Sequence, residues 1–444
     1  MSGRSCPALF VSAPASNQGK TTITAALARL HASLGRTVRV FKTGPDFLDP
    51  MILERASGHP VYQLDLWMGG ENHCRALLFD AAETADLILI EGVMGLFDGT
   101  PSSADLAELL GIPVLAVIDA EAMAQTFGAI ACGLARYRES LPLFGVFANR
   151  VAGERHAHLV REGVPPGIHF AGSLSRDAQI TLPDRHLGLV QAQEIGDLDD
   201  RLTAAASRLA DAGLGQMPPA VAFTAPEESS VAGEPPHYGG KKAFDRQMLG
   251  GVRIAIARDR AFSFLYQANL DWLRAMGAQL VFFSPLEDSD LPPADSVYLP
   301  GGYPELCLRE LSANRAMARA LARHVEAGKP LYAECGGMLY LLESLTDVHG
   351  ERATLAGILP GHARMQERLQ GLGHQSAPLP GGMVRGHTFH HSTIETPLVP
   401  IAHGQRAHGT SPGEAIFGHG RLIATYFHGY FPSNPVAAAQ LFRP

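Results

Sequence analysis

The sequence has few cysteines, no long apolar run and no excess of positive charge. Five cysteines in 444 residues, at wide spacings and without a C-x-x-C pair, exclude a disulfide framework and indicate reduced thiols. No stretch approaches the roughly 20 consecutive apolar residues of a membrane helix, and the amino terminus lacks the apolar run of a secretory signal. Lys and Arg total 36 against 44 Asp and Glu, and a net charge of −8 argues against coating nucleic acid or anionic membrane. We therefore expect a cytoplasmic protein with no nucleic-acid or membrane partner.

Two α/β blocks flank one break in composition. In residues 1–215, apolar runs such as PALFVSA, DLILIEG and IPVLAVID alternate with helical patterns, which predicts a parallel sheet covered on both faces. Residues 216–250 are rich in Pro, Gly, Ser and charge and predict an interdomain linker. The pattern restarts in residues 251–444 and later becomes rich in Gly, His and short strands. We expect an α/β protein with two doubly wound domains, the first of them P-loop-like.

A candidate phosphate loop, SAPASNQGKTT, spans residues 12–22 between an apolar strand and a helix. Such a loop brings backbone N–H groups to phosphate oxygens, a lysine to the β- and γ-phosphates and a hydroxyl to Mg²⁺. Gly19, Lys20, Thr21 and Thr22 supply these parts. The loop is a variant, because proline stands where the common pattern has its first glycine. The alternative is an ordinary strand–turn–helix with a surface lysine.

Two acidic segments follow strands of the first block. FKTGPDFLDP carries Asp46 and Asp49, and EGVMGLFDG carries Glu91 and Asp98. Ligands bind at the carboxyl ends of the strands in open α/β sheets, and carboxylates beside a phosphate loop hold Mg²⁺ or orient a nucleophile. We expect a magnesium and substrate site there, although Asp49 alone could cap the following helix. Asn149, after the strand LFGVFA, is a candidate for contact with the nucleotide base.

A second candidate site surrounds Cys335. KPLYAECGGMLYLLESL predicts a strand, then the cysteine, then a helix, and a nucleophile at such a turn projects above the sheet. We expect the helix N-terminus to lower the thiol pKa and the small residues after the cysteine to let backbone N–H groups face an oxyanion. Gly301 and Gly302 in SVYLPGGYPE are suited to donate a second N–H, and His428 is the expected base and proton donor.

Histidine is concentrated near the carboxyl end, where nine of 19 lie between His362 and His428. A metal cluster at GHTFHH (His387, His390 and His391) is one interpretation. Neither Cys₂His₂ spacing nor H-E-x-x-H accompanies it. We therefore favour structural or substrate-contacting histidines and keep the metal site as the alternative.

These motifs resemble those of a known family. The carboxyl block looks like a class I glutamine amidotransferase domain, with LPGGYPE, AECGGM and a late histidine, and the amino block resembles the dethiobiotin-synthetase-like ATP domain. In this order, and with KTGPDFLDP, EGVMGLFDG, FANRV, RGHTFHHS and YFHGYFPSNP, they resemble the cobyrinic acid a,c-diamide synthase family with its hydrogenobyrinic acid counterpart. The resemblance spans nearly the whole chain. It implies a ligase of cobalamin biosynthesis that uses ATP, glutamine and Mg²⁺ to amidate the a and c carboxylates of a corrinoid.

The resemblance also implies residue roles. Cys335 would attack glutamine to give a thioester, His428 would assist proton transfer, and Gly302 and Gly336 would form the oxyanion hole. Released ammonia would reach the amino domain, where ATP makes an acyl phosphate on the substrate. The residues implied there are Gly19, Lys20, Thr21, Thr22 and Asn149 for ATP, Asp46, Phe47, Leu48, Glu91 and Asp98 for the substrate and acyl phosphate, and Thr21, Asp46 and Glu91 for the metal.

One departure from the wider class I pattern concerns the third triad residue. The usual His-Pro-Glu is here His428-Gly429-Tyr430, so a Cys–His dyad is the simplest interpretation, and the group that orients His428 stays open. Related alternatives are cobyric acid synthase and nickel-sirohydrochlorin a,c-diamide synthase, and a wider one is a partition-type nucleotide switch, which has no use for an activated thiol. The sequence also leaves open the ring metal, the order of amidation, the ammonia route and the oligomeric state, for which a homodimer is one option.

Overall fold

The computed structural model describes three stretches of the chain, which are 3–183, 191–226 and 247–444. Contacts divide the described residues into two units. The first contains 3–66, 71–183 and 191–226, and the second contains 67–70 and 247–444. Each unit is built from strands and helices around its own sheet, which confirms the predicted α/β class.

The first unit alternates strands and helices along most of its length. Its described elements are β1 (Gly3–Ser12), α1 (Lys20–Ser33), β2 (Val38–Thr43), α2 (Leu48–Ser57), β3 (Tyr62–Leu64), α3 (Glu71–Ala81), β4 (Leu87–Glu91), α4 (Ser103–Leu110), β5 (Val114–Asp119), α5 (Thr126–Arg136), β6 (Leu143–Val151), α6 (Glu154–Gly163), β7 (Phe170–Ser175), a 3₁₀ turn (Ala192–Glu194), α7 (Leu198–Asp211) and β8 (Ala220–Thr224).

Seven strands of this unit form a parallel sheet in the order β3-β2-β4-β1-β5-β6-β7. Alternate residues of β4 face opposite sides, since Ile88 and Ile90 belong to one apolar cluster and Leu87 and Leu89 to another. This explains why the strands appear in the sequence as continuous apolar runs. Because the strands are parallel, the loops that follow β1, β2 and β4 leave the same edge of the sheet.

The last strand of the first unit lies inside the stretch predicted as linker. β8 pairs antiparallel with the start of β1, and its Val221 and Phe223 are buried in the core. The linker assigned to 216–250 therefore begins too early, because prolines before the strand gave the whole stretch the composition of a connection. Residues 227–246 of that predicted linker lie outside the described residues.

The second unit continues an α/β pattern into a region of short strands. Its described elements are β9 (Arg253–Ala257), α8 (Gln267–Ala275), β10 (Gln279–Phe283), β11 (Ser296–Leu299), a 3₁₀ turn (Pro304–Cys307), α9 (Leu308–Ala313), α10 (Arg315–Glu326), β12 (Leu331–Glu334), α11 (Gly336–Leu341), β13 (Leu342–Thr346), β14 (Arg352–Thr354), β15 (Leu359–Met365), β16 (Gly371–Leu379), β17 (Gly382–His390), β18 (Ser392–Glu395), β19 (Ala402–Arg406), β20 (Pro412–His419), β21 (Leu422–Thr425), β22 (His428–Gly429), a 3₁₀ turn (Phe431–Ser433) and α12 (Pro435–Phe442).

One sheet of this unit has a parallel half and an antiparallel half. Strands β10-β9-β11-β12-β21 are parallel, and β20-β19-β16-β17-β22 continue the sheet with antiparallel pairs. A smaller sheet has the order β14-β13-β15-β18. The runs VRIAIARD, QLVFFSP, SVYLPGG and PLYAEC form the predicted strands β9 to β12. The loops after β11, β12 and β21 leave one edge of the parallel half.

Two features expected from the composition, helices too short or too polar to span a membrane and unpaired cysteines, are present in the described residues. No helix in the described ranges is long and apolar enough to cross a membrane. All five cysteines are free thiols, four of them buried and Cys132 half-buried. Most of these cysteines are therefore small buried side chains of the core and not members of a disulfide.

Candidate active site

The phosphate loop leaves β1 at Ser12 and enters α1 at Lys20. Gly19 has a φ of +94°, a conformation that favours glycine. A Cβ atom built at Gly19 would lie 2.2 Å from Nδ2 of Asn149. Glycine is therefore needed here both for its backbone conformation and for the close approach of β6. The loop stands at the positive N-terminal end of α1, as predicted.

Lys20 occupies the first turn of α1 and folds back over the loop. Its Nζ donates to O of Met94 at 2.7 Å and to O of Ala15 at 3.2 Å. Burial lowers the pKa of Lys20, and repulsion from Lys42 lowers it further. Thr22 is half-buried in the same turn. A phosphate oxygen is a stronger partner for an ammonium than a carbonyl is, so the Lys20 contacts can be exchanged for phosphate.

Lys42, at the end of β2, lies among three carboxylates. Its Nζ is 2.7 Å from Oε1 of Glu91, 2.8 Å from Oδ2 of Asp49 and 3.8 Å from Oδ2 of Asp46. Oγ1 of Thr21 donates to the same Oε1 of Glu91 at 2.9 Å, which joins α1 to this group. We call the set the acidic centre, with the members Lys42, Asp46, Asp49 and Glu91. It brings three of the four predicted carboxylates to the edge of the sheet that carries the phosphate loop.

The charges of the acidic centre are strongly perturbed. Burial alone would lower the pKa of Lys42, but the three carboxylates outweigh it and raise the pKa, so Lys42 stays protonated. Burial and the charge of Asp49 raise the pKa of Asp46, and burial raises that of Glu91. Burial also acts on Asp49, but Lys42 holds the pKa of that carboxyl below its usual range. Two of the three carboxylates would thus gain from a second cation.

One oxygen of Glu91 is left without a hydrogen bond. Oε2 accepts none from the described residues although the side chain is fully buried. A buried polar atom without a partner costs free energy, and a bound ion is one way to satisfy it. Mg²⁺ is usually held by one or two carboxylates together with phosphate oxygens and water. The donors Glu91, Asp46 and Thr21 therefore fit the predicted ion.

The segment after β2 leads from the acidic centre into α2. Oδ1 of Asp46 accepts from N of Leu48 at 2.9 Å, so Asp46 satisfies the first N–H of the helix. Asp49 does not cap α2, contrary to the alternative considered from the sequence, because it faces Lys42 instead. Phe47 and Leu48 are 9% and 8% exposed, and only their edges are open to a substrate.

Asp98 and Asn149 both contact loop backbone. Oδ2 of Asp98 accepts from N of Gly95 at 2.9 Å, within the loop that follows β4. Nδ2 of Asn149 donates to O of Gln18 at 2.9 Å, and its Oδ1 accepts from N of Arg150 at 3.0 Å. The structure brings both residues beside the phosphate loop, where their polar atoms hold main chain in place.

Cys335 stands alone between β12, which ends at Glu334, and α11, which begins at Gly336. Its φ of +42° is seldom adopted by residues other than glycine and is typical of a nucleophile on a sharp strand-to-helix turn. N of Cys335 donates to O of Thr425 at 2.8 Å, so β21 holds the turn. The predicted elbow is present, with a helix of only six residues after it.

Gly302 and Gly336 lie against each other at the ends of neighbouring strands. A Cβ atom built at Gly336 would be 2.9 Å from N of Gly302, and one built at Gly302 would be 2.1 Å from O of Ala261. Neither position has room for a side chain. The two residues predicted as the oxyanion hole are thus adjacent, because β11 and β12 are paired in parallel.

The pKa of the Cys335 thiol is raised, not lowered. Burial is the main cause and the charge of Glu305 adds to it, while the hydrogen bond from N of Gly336 offsets only part. The expectation that the helix N-terminus lowers this pKa was wrong, because desolvation of the sulfur outweighs one short helix. The thiol is neutral at rest and needs a base to take its proton.

His428 begins β22, shortly after β21, the strand paired with β12, and so lies at the same edge of the sheet as Cys335. It is 1% exposed, and a Cβ atom built at Gly301 would lie 2.4 Å from its Cε1. Its ring stacks on that of His387, with 5.0 Å between ring centres and 19° between planes. Burial lowers the pKa of His428 to about 3, and the charge of His390 contributes. A neutral imidazole is the form that accepts a proton.

Glu334 faces this histidine from β12. Its Oε2 lies 3.8 Å from Nδ1 of His428 and accepts from OH of Tyr298 at 2.8 Å, and its Oε1 accepts from N of Gly429 at 2.9 Å. The side chain is 1% exposed, and burial raises the pKa of Glu334 to about 8. Glu334 was not predicted, because the carboxylate was sought beside the histidine. The available signal was a carboxylate directly before the nucleophile, at the buried end of a strand.

Two family models match the chain in the order of its units. The CobQ/CobB/MinD/ParA nucleotide binding domain matches residues 9–190, and the CobB/CobQ-like glutamine amidotransferase domain matches residues 253–436. A hydrogenobyrinate a,c-diamide synthase of Stutzerimonas stutzeri (strain A1501) is 59% identical over 444 residues, which are 100% of each chain. The chain belongs to the a,c-diamide synthase family.

Further members of the a,c-diamide synthase family are similar over almost their whole length. A hydrogenobyrinate a,c-diamide synthase of Pseudomonas aeruginosa (strain PAO1) is 58% identical over 99% of this chain and 98% of the relative. A cobyrinate a,c-diamide synthase of Herminiimonas arsenicoxydans is 49% identical over 98% and 96%. The resemblance found from the motifs is therefore confirmed over the full chain.

Lys42 is a residue of the acidic centre that the motifs did not predict. The lysine lies in the segment FKTGPDFLDP, in which the carboxylates were singled out and the lysine was not. The overlooked signal was its spacing, since Asp46 and Asp49 stand four and seven residues further on. A lysine at a buried strand end needs carboxylates to stay charged.

His387 and His390 are engaged in hydrogen bonds and stacking. Nε2 of His390 lies 3.3 Å from Oε1 of Glu414, and its ring stacks on that of Tyr426 with 3.6 Å between centres. Over the described part of the chain, no group of three or more His, Cys, Asp or Glu could hold a metal ion. The alternative of a metal cluster at His387, His390 and His391 was therefore wrong.

Proposed function

We propose that this chain is a glutamine-hydrolysing ligase that uses ATP to amidate the a and c side-chain carboxylates of a corrinoid in cobalamin biosynthesis. The observation that carries the proposal is the combination, in one chain, of a phosphate loop beside an acidic centre with a buried cysteine elbow beside two adjacent glycines. A nucleotide switch needs only the first of these sites. The relatives at 59% and 58% identity are named for hydrogenobyrinate, so we propose the metal-free ring as the substrate.

In the proposed glutaminase reaction, His428 takes the proton of Cys335 as Sγ attacks the amide carbon of glutamine. The N–H groups of Gly302 and Gly336 stabilise the oxyanion that forms. The amide nitrogen then leaves as ammonia with the proton from His428, which gives a thioester. Water, deprotonated by His428, hydrolyses the thioester and releases glutamate. The neutral state of His428 supports its role as the acceptor in the first step.

In the proposed synthetase reaction, the loop N–H groups and Lys20 bind the phosphates of ATP. The γ-phosphoryl group passes to a carboxylate oxygen of the substrate with loss of ADP, and ammonia displaces phosphate from the acyl carbon. Mg²⁺, when held by Thr21, Asp46 and Glu91, would neutralise the phosphate charge. Lys42 holds these carboxylates in place through its contacts with both.

The remaining first-unit residues are proposed to shape the same site. Asn149 orders the loop on the side where the nucleotide base would lie, and its hydrogen bond to Gln18 supports this role. Asp98 holds the loop after β4 against the phosphates. Phe47 and Leu48 would line the substrate side with their exposed edges. We place the enzyme in the cytoplasm, where ATP and glutamine are available, and assign ATP chemistry to the first unit and glutamine hydrolysis to the second.

The decisive experiment follows both half-reactions in the purified full chain. With ATP, Mg²⁺ and glutamine, hydrogenobyrinic acid should give an a,c-diamide, identified by mass and by NMR of the amidated side chains. Cys335→Ser should abolish glutamate release and glutamine-dependent amidation, while ammonium chloride should restore amidation. Cobyrinic acid, assayed side by side, should react more slowly.

Two outcomes would contradict the proposal. If the wild-type protein releases no glutamate in the presence of corrinoid and ATP, it is not a glutamine-dependent ligase. If side chains other than a and c are amidated, the substrate assignment fails and a cobyric acid synthase type of activity takes its place.

A further inference from the structure

The second unit has a carboxylate beside the proton-accepting histidine, but not at the usual place in the sequence. In nucleophile–histidine hydrolases a third group fixes the tautomer of the histidine and stabilises its cation. Tyr430 stands two residues after His428, where the wider class has a glutamate. We propose that Glu334, 3.8 Å from Nδ1 of His428, is the positioning residue that takes over this role. The inference rests on the glutaminase activity proposed for this unit.

Hydrogen bonds hold Glu334 and the segment that carries His428 together. Oε1 of Glu334 accepts from N of Gly429, and its Oε2 accepts from OH of Tyr298. Asn269 binds the same segment from α8, with Nδ2 donating to O of Gly429 at 2.8 Å and Oδ1 accepting from N of Phe431 at 2.8 Å. Both oxygens of the Glu334 carboxylate are therefore fixed by hydrogen bonds. The main chain that carries the His428 ring is also restrained by hydrogen bonds, so the ring has little freedom to move.

The position of Glu334 assigns the two ring nitrogens of His428. A carboxylate favours a proton on the nearer nitrogen, Nδ1, which leaves the lone pair on Nε2 to accept the proton of Cys335. Because burial raises the pKa of Glu334 to about 8, the carboxylate is charged and lies beside the imidazolium that results at pH 9, the pH chosen for assays of this pair. The proton then passes from Nε2 to the departing ammonia, and Glu334 neither gains nor loses a proton over the cycle.

The other groups that face this pair do not provide the same charge. Burial raises the pKa of Tyr298 and of Tyr332 well above the usual range, so both stay neutral. Burial lowers the pKa of His387, which stacks on His428 and is neutral as well. Among the described residues, the titratable groups that contact the pair or act on its charge include Tyr298 on β11, Tyr332 on β12, and His387 and His390 on β17. The carboxylate of Glu334 lies 3.8 Å from Nδ1 of His428.

The substitution Glu334→Gln separates the positioning role from a structural one. Oε1 must remain an acceptor for N of Gly429, so the amide oxygen of the glutamine takes that place and its NH₂ group takes the place of Oε2. Tyr298 can rotate its hydroxyl and accept from this NH₂. The fold keeps its hydrogen bonds, but a donor now faces Nδ1 of His428 and favours the tautomer with the proton on Nε2, which cannot accept from the thiol.

Steady-state assays of glutamate release should show a fall in kcat of at least about 100-fold for Glu334→Gln, with KM for glutamine little changed, because a misplaced proton disables the base. Amidation with ammonium chloride should equal that of the wild type, which shows that the fold and the synthetase site are intact. In protein labelled with ¹⁵N-histidine, the His428 signals should change from Nδ1–H in the wild type to Nε2–H in the variant.

The rate of alkylation of Cys335 by iodoacetamide at pH 9, where Glu334 is charged, followed by peptide mass spectrometry, tests the proposal by the direction in which the rate changes. The charge of Glu334 itself raises the pKa of the thiol, so its removal would speed alkylation if Glu334 were only a neighbouring charge. If it acts through His428, removal slows alkylation, and we expect a decrease of about ten-fold or more. Faster alkylation overturns the proposal.

A matched control lies in the smaller sheet. Glu343 has Oε2 3.7 Å from Nε2 of His362 and accepts from N of Gly361, but the pair is half exposed. Glu343→Gln should leave glutamate release and the His428 signals unchanged. The proposal is overturned if Glu334→Gln keeps kcat within two-fold of the wild type or leaves the proton on Nδ1. A wild type without glutaminase activity would instead refute the proposed function, and the ¹⁵N spectra would still decide where Glu334 places the proton.

Discussion

Nζ of Lys42 lies 2.7 Å from Oε1 of Glu91, and the two side chains are 2% and 0% exposed. A buried ion pair loses much of its Coulomb attraction to the desolvation of both charges, so it contributes little net stability compared with an apolar pair. Removing one partner is a different matter, because the other charge then stays buried without compensation. The Lys42–Glu91 pair therefore adds little to the net stability of the first unit. Its effect is that each buried charge requires the other to be present.

Lys42→Met should destabilise the first unit by about 3–5 kcal/mol at pH 7, because three carboxylates lose the ammonium that contacts them at the end of β2. Amidation should be lost, while glutamate release by the second unit should persist. Urea unfolding followed by hydrogen exchange of the peptide that contains β4 would measure the first effect. Lys329→Met, at an exposed lysine, is the control and should change neither quantity. Unfolding at the wild-type urea concentration would refute the assigned role.

Asp46→Asn and Asp98→Asn should each reduce amidation by about ten-fold or more, since one changes the acidic centre and the other releases the loop after β4. Glutamate release without corrinoid should stay at the wild-type rate. The control is Asp86→Asn, because Oδ2 of Asp86 accepts from N of Thr37 at the opposite end of β4. Product formation by mass spectrometry distinguishes the outcomes, and wild-type amidation by both variants would remove the reason for placing the synthetase site there.

Gly336→Ala should reduce glutamate release by at least about 100-fold, because the added Cβ would lie 2.9 Å from N of Gly302 and push the two N–H donors apart. Ammonia-dependent amidation should continue. Gly133→Ala is the matched substitution, since a Cβ there meets nothing within 4 Å. Equal glutaminase rates for the two variants would contradict the assignment of the oxyanion hole.

The stability of the second unit should fall as pH rises from about 6.5 to 8. The folded pKa of Glu334 is about 8 against an ordinary 4.5, so between these values the folded state binds more protons than the unfolded state, and raising the pH favours unfolding. The folded pKa of His428 is about 3 against 6.5, which gives the opposite slope in acid. Above pH 6.5 the contribution of His428 is complete, while that of Glu334 still decreases with pH, by up to about 2 kcal/mol.

Urea titrations followed by the fluorescence of buried Trp272 can measure this dependence between pH 6.5 and 8. Glu334→Gln should remove the decrease and leave a flatter profile. His428→Gln should instead weaken the rise in stability with pH in acid, because the unfolded state no longer gains that proton, whereas buried His387 and His324 still contribute to the rise. An unchanged decrease above pH 6.5 in Glu334→Gln would show that another group titrates there.

Much of the fold could be predicted from the sequence, because both faces of the parallel strands are buried and the strands appear as uninterrupted apolar runs. Because the strands are parallel, motifs that follow neighbouring strands lie close together, as Gly302 and Gly336 do. β8 was not predicted, since its partner β1 is at the other end of the unit and prolines adjoin it. Pairing between distant segments leaves no local pattern in a single sequence.

The candidate site was predicted where chemistry follows a motif and missed where it depends on a contact between strands. Cys335 and His428 were predicted as site residues from their local contexts, and they lie at one edge of the sheet. Glu334 and Lys42 were not, because their roles come from what lies across the sheet edge, Nδ1 of His428 in one case and Glu91 in the other. The predicted direction of the thiol pKa shift was wrong for the same reason. The burial that raises this pKa depends on the whole folded unit and not on the neighbouring helix alone.

The positive φ of Cys335 means that a side chain at this position destabilises the turn that carries it. At most positions glycine is less stable than alanine by about 0.5–1 kcal/mol, but a side chain held at this φ of +42° carries strain of about 1–3 kcal/mol. At position 335 the order should reverse, so that Cys335→Gly tolerates heat better than Cys335→Ala. Laboratory evolution that rewards thermostability alone would then drift toward glycine here and erase catalysis, unless each round also selects for turnover.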